Sequence, residues 1–357
     1  MKILLLGEYS GLHGNLQDGL EAIGHNVTHC GDGDTWKKMP VEIDLTPRFP
    51  GILGAVEKRL KAFIFLYFFA KDFDIVQVFT PYHFKMKFFP FFFLMRRLKD
   101  RNKKLFTLAA ATDPIYWKYG QQKLDYTPFN DNLKWDLGGK TSYYETDEAM
   151  NFHLKFLDLV DGIIPCNYDY WVSYEDFDKR KDMIPMPINT SKIEYSKNVL
   201  KNNKIILFHG ITRYGMKGTY YIEKALKELK DKYSDLIEIK IVSKLAFAEY
   251  MKALEDCNVL FDQTSCHSGG MNSLYGLAMG KIVFGGAETY TYKSYGVEEC
   301  PIFNIQPSID SIVDQVESLI LQKDKIEFLG LQSRKYAQNV HSHTVVAKRF
   351  IETWSKD

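Results

Sequence analysis

The chain has 357 residues, 45% hydrophobic and 25% charged, the composition of an ordinary globular protein at about twice single-domain size, so two domains are the default. Its formal net charge of +1 gives no global field toward nucleic acid, so none is expected as a partner and any anion site has to be local. Five scattered cysteines, Cys30, Cys166, Cys257, Cys266 and Cys300, form no C-x-x-C pair; this argues against a disulfide framework or zinc site and suits reduced thiols in a cytoplasm.

The first strand is KILLLG, 2–7. Its apolar run is shorter than a signal-peptide core and no small-residue cleavage site follows. No stretch reaches about 18 uninterrupted apolar residues, so no transmembrane helix is expected. A helix over 15–23 closes at Gly24 and leads into the strand HNVTHC. Strands at 74–79, 105–110 and 161–165 follow, with a helical pattern over 145–159 before the last of them. Residues 184–203, with two prolines and a polar tail rich in Asn and Lys, read as a linker. The alternation then restarts. Strands fall at 204–210, 237–242, 257–262 and 281–286. Helices fall at 218–232, 247–254, 271–279, 308–321 and 324–339, with a last one over 343–355. Strand–helix alternation of this kind builds parallel sheets with crossover helices. The expected fold is α/β, two doubly wound Rossmann-like domains facing across a cleft. The N-terminal domain is placed at 1–188, the C-terminal domain at 189–340, and 341–357 forms a helix crossing back to the first.

Two segments of the second half carry chemistry. In HGITRYGMKG, 209–218, a strand gives way to a loop bearing Arg213 and Lys217 just before a helix. A helix N-terminus offers free N–H groups and a positive dipole, Arg forks onto two phosphate oxygens and Lys adds a point charge. In HSGGMNSLYGLAMGK, 267–281, Gly269 and Gly270 stand between a strand and a helix beginning near Met271, where glycine lets a ligand approach the backbone. Spacing alone leaves open that the first is a solvated basic loop and the second a plain strand–helix turn.

Together the two segments resemble the donor-binding half of GT-B glycosyltransferases, especially the large retaining group of bacterial sugar transferases called family 4. The resemblance implies that RYGMKG grips the diphosphate of a nucleotide-sugar donor through Arg213 and Lys217. It implies that Gly269, Gly270 and Met271 form the loop at the donor, and that the last helix, with Trp354, crosses back onto the first domain. It further implies a nucleoside diphosphate-sugar as substrate with no separate cofactor, retention of configuration, and no metal. The chain departs from the family where two acids are expected ahead of AMGK: the positions hold His267 and Tyr275. Both side chains can hydrogen-bond sugar hydroxyls but carry no negative charge. The functional expectation is transfer of a sugar to an acceptor hydroxyl on a glycan or lipid-linked saccharide. The alternative is a catalytically inactive homologue that binds a nucleotide sugar and acts through a partner. An epimerase on the same fold is disfavoured by the missing acids.

The first half gives candidates. Gly7, Gly11 and Gly14 do not fit G-x-G-x-x-G; the loop resembles one that closes over donor and acceptor in GT-B proteins, and His13 is its candidate catalytic residue. In LAAATDPIYWKYG, 108–120, Asp113 stands at a strand's carboxyl end, able to accept a bond from an acceptor hydroxyl or to cap the next turn. Tyr116 and Trp117 are candidates to stack on an acceptor sugar, or core residues. The D-x-D triplet of Asp32 and Asp34 reads as a flexible acidic turn with no metal. The aromatic stretches at 61–71 and 87–104, with basic residues beside them, read either as crossover helices or as a seat on an anionic membrane surface. The second reading would attach a cytoplasmic protein to the inner face of a membrane and favour a lipid-linked acceptor.

Overall fold

The computed structural model describes residues 1–34, 37–130, 142–211 and 214–356. The chain divides into two units, the first made of 1–116, 143–187 and 343–357, the second of 117–142 and 188–342.

The first unit is built on six parallel strands: β1 (Lys2–Leu6), β2 (Asn26–Gly31), β3 (Ile43–Asp44), β4 (Ile75–Val78), β5 (Lys104–Ala109) and β6 (Gly162–Pro165). Their order is β3-β2-β1-β4-β5-β6, all pairs parallel. This is the doubly wound Rossmann order, with its switch point between β1 and β4. Ile3 to Leu6 and Ile75 to Val78 are continuously buried, as strands covered on both faces require. Helix α1 (Leu12–Ala22) follows β1. It starts three residues earlier than its apolar pattern, because the Glu8 carboxyl group caps it, accepting from Gly11 N at 2.9 Å and Gly14 N at 2.8 Å. Helices α2 (Gly51–Ile64), α3 (Phe91–Asp100), α4 (Asp147–Leu157) and α5 (Tyr168–Ser173) complete this part of the chain.

The second unit has five parallel strands: β7 (Ile205–Ile211), β8 (Ile237–Ser243), β9 (Val259–Phe261), β10 (Ile282–Gly285) and β11 (Phe303–Asn304). The order β11-β10-β9-β7-β8 is the other common doubly wound arrangement, with its switch point between β7 and β9. Helices α6 (Thr219–Tyr233), α7 (Phe247–Glu255), α8 (Met271–Met279), α9 (Thr289–Lys293), α10 (Ile309–Ile320) and α11 (Ile326–Val340) cover the sheet. Its core joins Ile205, Leu207, Phe261 and Phe284 of the strands to Ile222, Leu226, Ile312 and Val316 of α6 and α10.

The last helix, α12 (His343–Ser355), belongs to the first unit and lies on α1. Gly19 makes that approach possible: a Cβ there would sit 2.1 Å from the His343 carbonyl oxygen. Trp354 is fully buried and donates from Nε1 to Gln77 Oε1 at 3.2 Å. The stretch read as a linker is not a loose polar segment throughout, since residues 184–189 are buried and Ile188 N donates to His341 O at 2.7 Å. The apolar alternation of 184–188 was masked in the sequence by its prolines.

Candidate functional site

In doubly wound sheets, ligands sit beyond the carboxyl ends of the strands at the switch point. In the second unit that place lies beyond β7 and β9. His209, near the end of β7, is fully buried and holds the two strands and α6 together. Its Nδ1 lies 3.0 Å from Phe261 O and its Nε2 3.0 Å from Thr219 Oγ1. Burial pushes the imidazole down to about 4, so it is neutral, donating from Nδ1 and accepting the threonine hydroxyl. Gly218, at φ +68, turns the chain into α6.

Lys217, just before that turn, is 7% exposed and is not solvated. Its Nζ donates to Asp262 Oδ1 at 2.8 Å. Asp262 follows β9 directly and is 1% exposed. Its second oxygen accepts from Gly270 N at 3.1 Å, Ser273 N at 3.2 Å and Ser273 Oγ at 2.7 Å. Burial acts to raise this carboxyl, but the Lys217 ammonium and these hydrogen bonds outweigh it and hold it below the usual carboxylate range. The lysine and the amino end of α8, the two features read as a diphosphate grip, are thus brought together, and an internal carboxylate joins them. Asp262 was not singled out in the sequence. The available signal was a charged residue closing an otherwise apolar strand. Arg213 lies outside the described residues.

Gly269 and Gly270 lead into α8, whose first residue, Met271, is buried. A Cβ on Gly269 would stand 2.9 Å from Ser273 Oγ. His267 is almost fully buried. Its ring stacks on Tyr126 at 4.1 Å. Its Nε2 donates to Tyr126 O at 3.1 Å, and Nδ1 accepts from the Tyr290 hydroxyl. Tyr126 also donates its hydroxyl to Glu288 Oε1 at 2.7 Å, and Gln306 donates to the same oxygen at 2.9 Å. An acid therefore stands close to His267 after all, contributed by Glu288, 21 positions further along the chain. Tyr275 is buried in α8, its ring 5.1 Å from that of Phe247.

In the first unit, His13 is fully buried in α1. Gln77 donates to its Nε2 at 3.3 Å, so Nδ1 carries the proton and donates to Gly7 O at 2.7 Å. Burial, then the neighbouring His29, depress its pKa well below the ordinary value. The relay from Trp354 through Gln77 to His13 fastens α12 to the loop after β1. Asp32 and Asp34 are buried, not part of a loose turn. Lys58 pairs with Asp32, and Asp34 accepts from Ser10 N at 2.9 Å and Lys37 Nζ at 2.6 Å. Among the described residues, no cluster of three His, Cys, Asp or Glu is placed to hold a metal ion.

Asp113 is fully enclosed. It caps the turn after Pro114, accepting from Tyr116 N at 2.8 Å, and accepts the Tyr174 hydroxyl at 2.7 Å. Tyr116 is buried with its ring 4.8 Å from that of Tyr170. Trp117 is half-buried and its carbonyl accepts from Gln121. Burial raises the Asp113 carboxyl from 3.8 to about 7. The folded chain therefore holds a proton that the unfolded chain releases, and stability falls as pH rises through this window. Asn at this position keeps both hydrogen bonds, donating to Tyr174 instead of accepting. Asp113→Asn is expected to match the parent near pH 4 and to be more stable by roughly 4 kcal/mol at pH 8, read as thermal midpoints across pH.

Two parallel doubly wound sheets in one chain are the fold elements of GT-B proteins. No protein-family model and no curated protein matches the sequence. Among solved structures, HepE of Anabaena with UDP and glucose is similar over 100% of both chains, with a TM-score of 0.61 and 12% identity. Sucrose-phosphate synthase of Thermosynechococcus elongatus is similar over 99% of this chain and 98% of its own, with a TM-score of 0.61 and 11% identity. A putative UDP-N-acetylglucosamine 2-epimerase of Listeria monocytogenes is similar over 98% and 94%, with a TM-score of 0.52 and 14% identity. The fold is thus shared with proteins described by different chemistries.

Proposed function

We propose that this chain is a glycosyltransferase moving a hexose from a nucleoside diphosphate-sugar to a hydroxyl of a glycan acceptor, with retention and without a metal. The observation that carries the reading is the buried Lys217 beside the amino end of α8, at the second sheet's switch point. The fold likeness to HepE, described in complex with UDP-glucose, supports the donor class. Lys217 gives one of its three donors to Asp262 and keeps two for phosphate oxygens. As the sugar leaves, charge develops on the departing diphosphate. Lys217 and Arg213 oppose it electrostatically, which takes the place of a metal. Trp117 is assigned to the acceptor and Glu288 to the donor sugar; Tyr116 and His267, both buried, are assigned to the packing behind them.

One observation favours a second reading. Asp262 neutralises Lys217 and occupies the amino end of α8, and His267 is hydrogen-bonded at both ring nitrogens. A binding protein without turnover would tolerate both. Thermal unfolding with a panel of nucleotide sugars separates the cases. A donor at 100 times its Kd stabilises by about 2.7 kcal/mol. Binding with release of nucleoside diphosphate on adding acceptor supports the transferase, and binding without release supports the second reading. A folded chain that responds to no nucleotide sugar overturns both.

A further inference from the structure

Helix α2 is turned inside out. Only Gly54 and Ala62 of its residues are buried. The polar residues near them tie it down: Lys58 pairs with Asp32, Lys61 donates to Thr46 O at 2.7 Å, and Glu57 takes Arg48 and Lys61. At about 100° per residue, Ile52, Leu53, Val56, Leu60 and Ile64 fall within an arc of about 120° on the opposite side. That side faces solvent, with Ile52 84% and Leu53 71% exposed. An amphipathic helix packed on its own core would show the reverse.

The apolar face continues beyond α2. Phe68 and Phe69 of the turn after it are exposed, as is Phe93 of α3. Tyr67 joins the two helices, its ring 5.4 Å from Phe63 and 6.2 Å from Phe93. Phe88, at the tip of the loop before α3, is 90% exposed and held at φ +60, a left-handed conformation unusual for an aromatic residue. Cations stand among these rings. Arg97 lies 4.0 Å over Tyr67, and Lys87 5.0 Å from Phe88. Residues 48–104 hold thirteen Lys and Arg against four Asp and Glu, in a chain of net charge +1; Arg48, Lys58 and Lys61 serve the inner side of α2 and Lys85, Lys99 and Lys103 pair with acids, and the segment remains basic. Of the two aromatic stretches, Phe65, Leu66, Phe91, Leu94, Met95 and Leu98 pack inward, while Phe68, Phe69 and Phe93 extend the apolar face, whose larger part is α2.

We propose that this face docks the protein on an anionic lipid bilayer, with the α2 stripe and the Phe side chains in the acyl boundary and the basic residues on the headgroups. A second copy is the wrong occupant, because a symmetric pairing would set the same basic rim against itself. No described helix is long and apolar enough to cross a membrane, so the face lies on the bilayer. The inference stands apart from the transferase reading.

The test is co-sedimentation of the full chain with vesicles of equal parts phosphatidylglycerol and phosphatidylcholine, and with phosphatidylcholine alone. The parent chain is expected to pellet with the anionic vesicles and to be released by salt. Leu53→Asp with Leu60→Asp is expected to weaken binding at least about tenfold, with an unchanged thermal midpoint because both positions are already in solvent. Phe88→Ser is expected to weaken it less. Leu321→Asp, an equally exposed position of the second unit, is the control and is expected to bind like the parent. Undiminished binding of the double variant, equal binding to both vesicles, or a concentration-dependent dimer that the double variant abolishes would each overturn the proposal.

Discussion

Lys217→Ala is expected to lower the thermal midpoint of the second unit by about 10 °C. The substitution leaves Asp262 charged and enclosed, and breaking one partner of a buried ion pair costs about 3–5 kcal/mol. For a unit of this size each kcal/mol moves the midpoint by roughly 2–4 °C. Loss of nucleotide binding in this variant would therefore confuse two effects. Lys217→Met combined with Asp262→Asn removes both charges at similar volume, so the fold is expected to survive while nucleotide affinity falls. Asp262→Asn alone leaves the lysine unbalanced. It is expected to destabilise the free protein and to show a larger stabilisation by UDP than the parent, since the diphosphate then supplies the missing charge. Thermal midpoints with and without UDP, for all three variants, read this out.

Gly218→Ala is expected to cost about 3 kcal/mol or more. The residue sits at φ +68, and a Cβ would stand 1.9 Å from Thr264 Oγ1 and 3.0 Å from Ser265 Oγ. The added methyl would push the segment after Asp262 away from the start of α6, breaking the bond from Thr264 N to Lys217 O. Nucleotide affinity should fall with stability. Gly296 is the comparison, since it has φ +81 with nothing within 4 Å of a Cβ. Gly296→Ala bears the backbone cost alone, about 1–2 kcal/mol, and should leave nucleotide affinity unchanged. Equal losses at both glycines would show that the contact with Thr264 has no part in the effect.

The sheet elements were legible because parallel strands buried on both faces are written as short apolar runs. KILLL, 257–262 and 281–286 all appear where the runs place them, and α8 spans Met271–Met279 as its pattern requires. The order of the strands was not legible, since periodicity says nothing about which runs are neighbours. The candidate site was legible in its local parts, Lys217 and Gly270. Its long-range parts were not. Asp262 meets Lys217 across 45 positions and Tyr126 meets His267 across 141, and polar pairing at such separations leaves no periodic trace. Asp113 had two equal readings in the sequence, and its enclosure by Tyr116 and Tyr174 gives it the capping geometry. In α2 the apolar stripe was readable, but not the direction it faces, because the pattern of a helix packed on a core is the same as that of one turned outward.

Calorimetric titration of the full chain with UDP-glucose and UDP, in buffer holding a chelator for divalent cations, decides whether Lys217 and the amino end of α8 form a diphosphate site. Saturable binding of a nucleoside diphosphate or its sugar without metal is expected, and is expected to be lost in the folded variant carrying Lys217→Met and Asp262→Asn. Undiminished binding by that variant, or no binding by the folded parent chain to any nucleotide sugar, would contradict such a site.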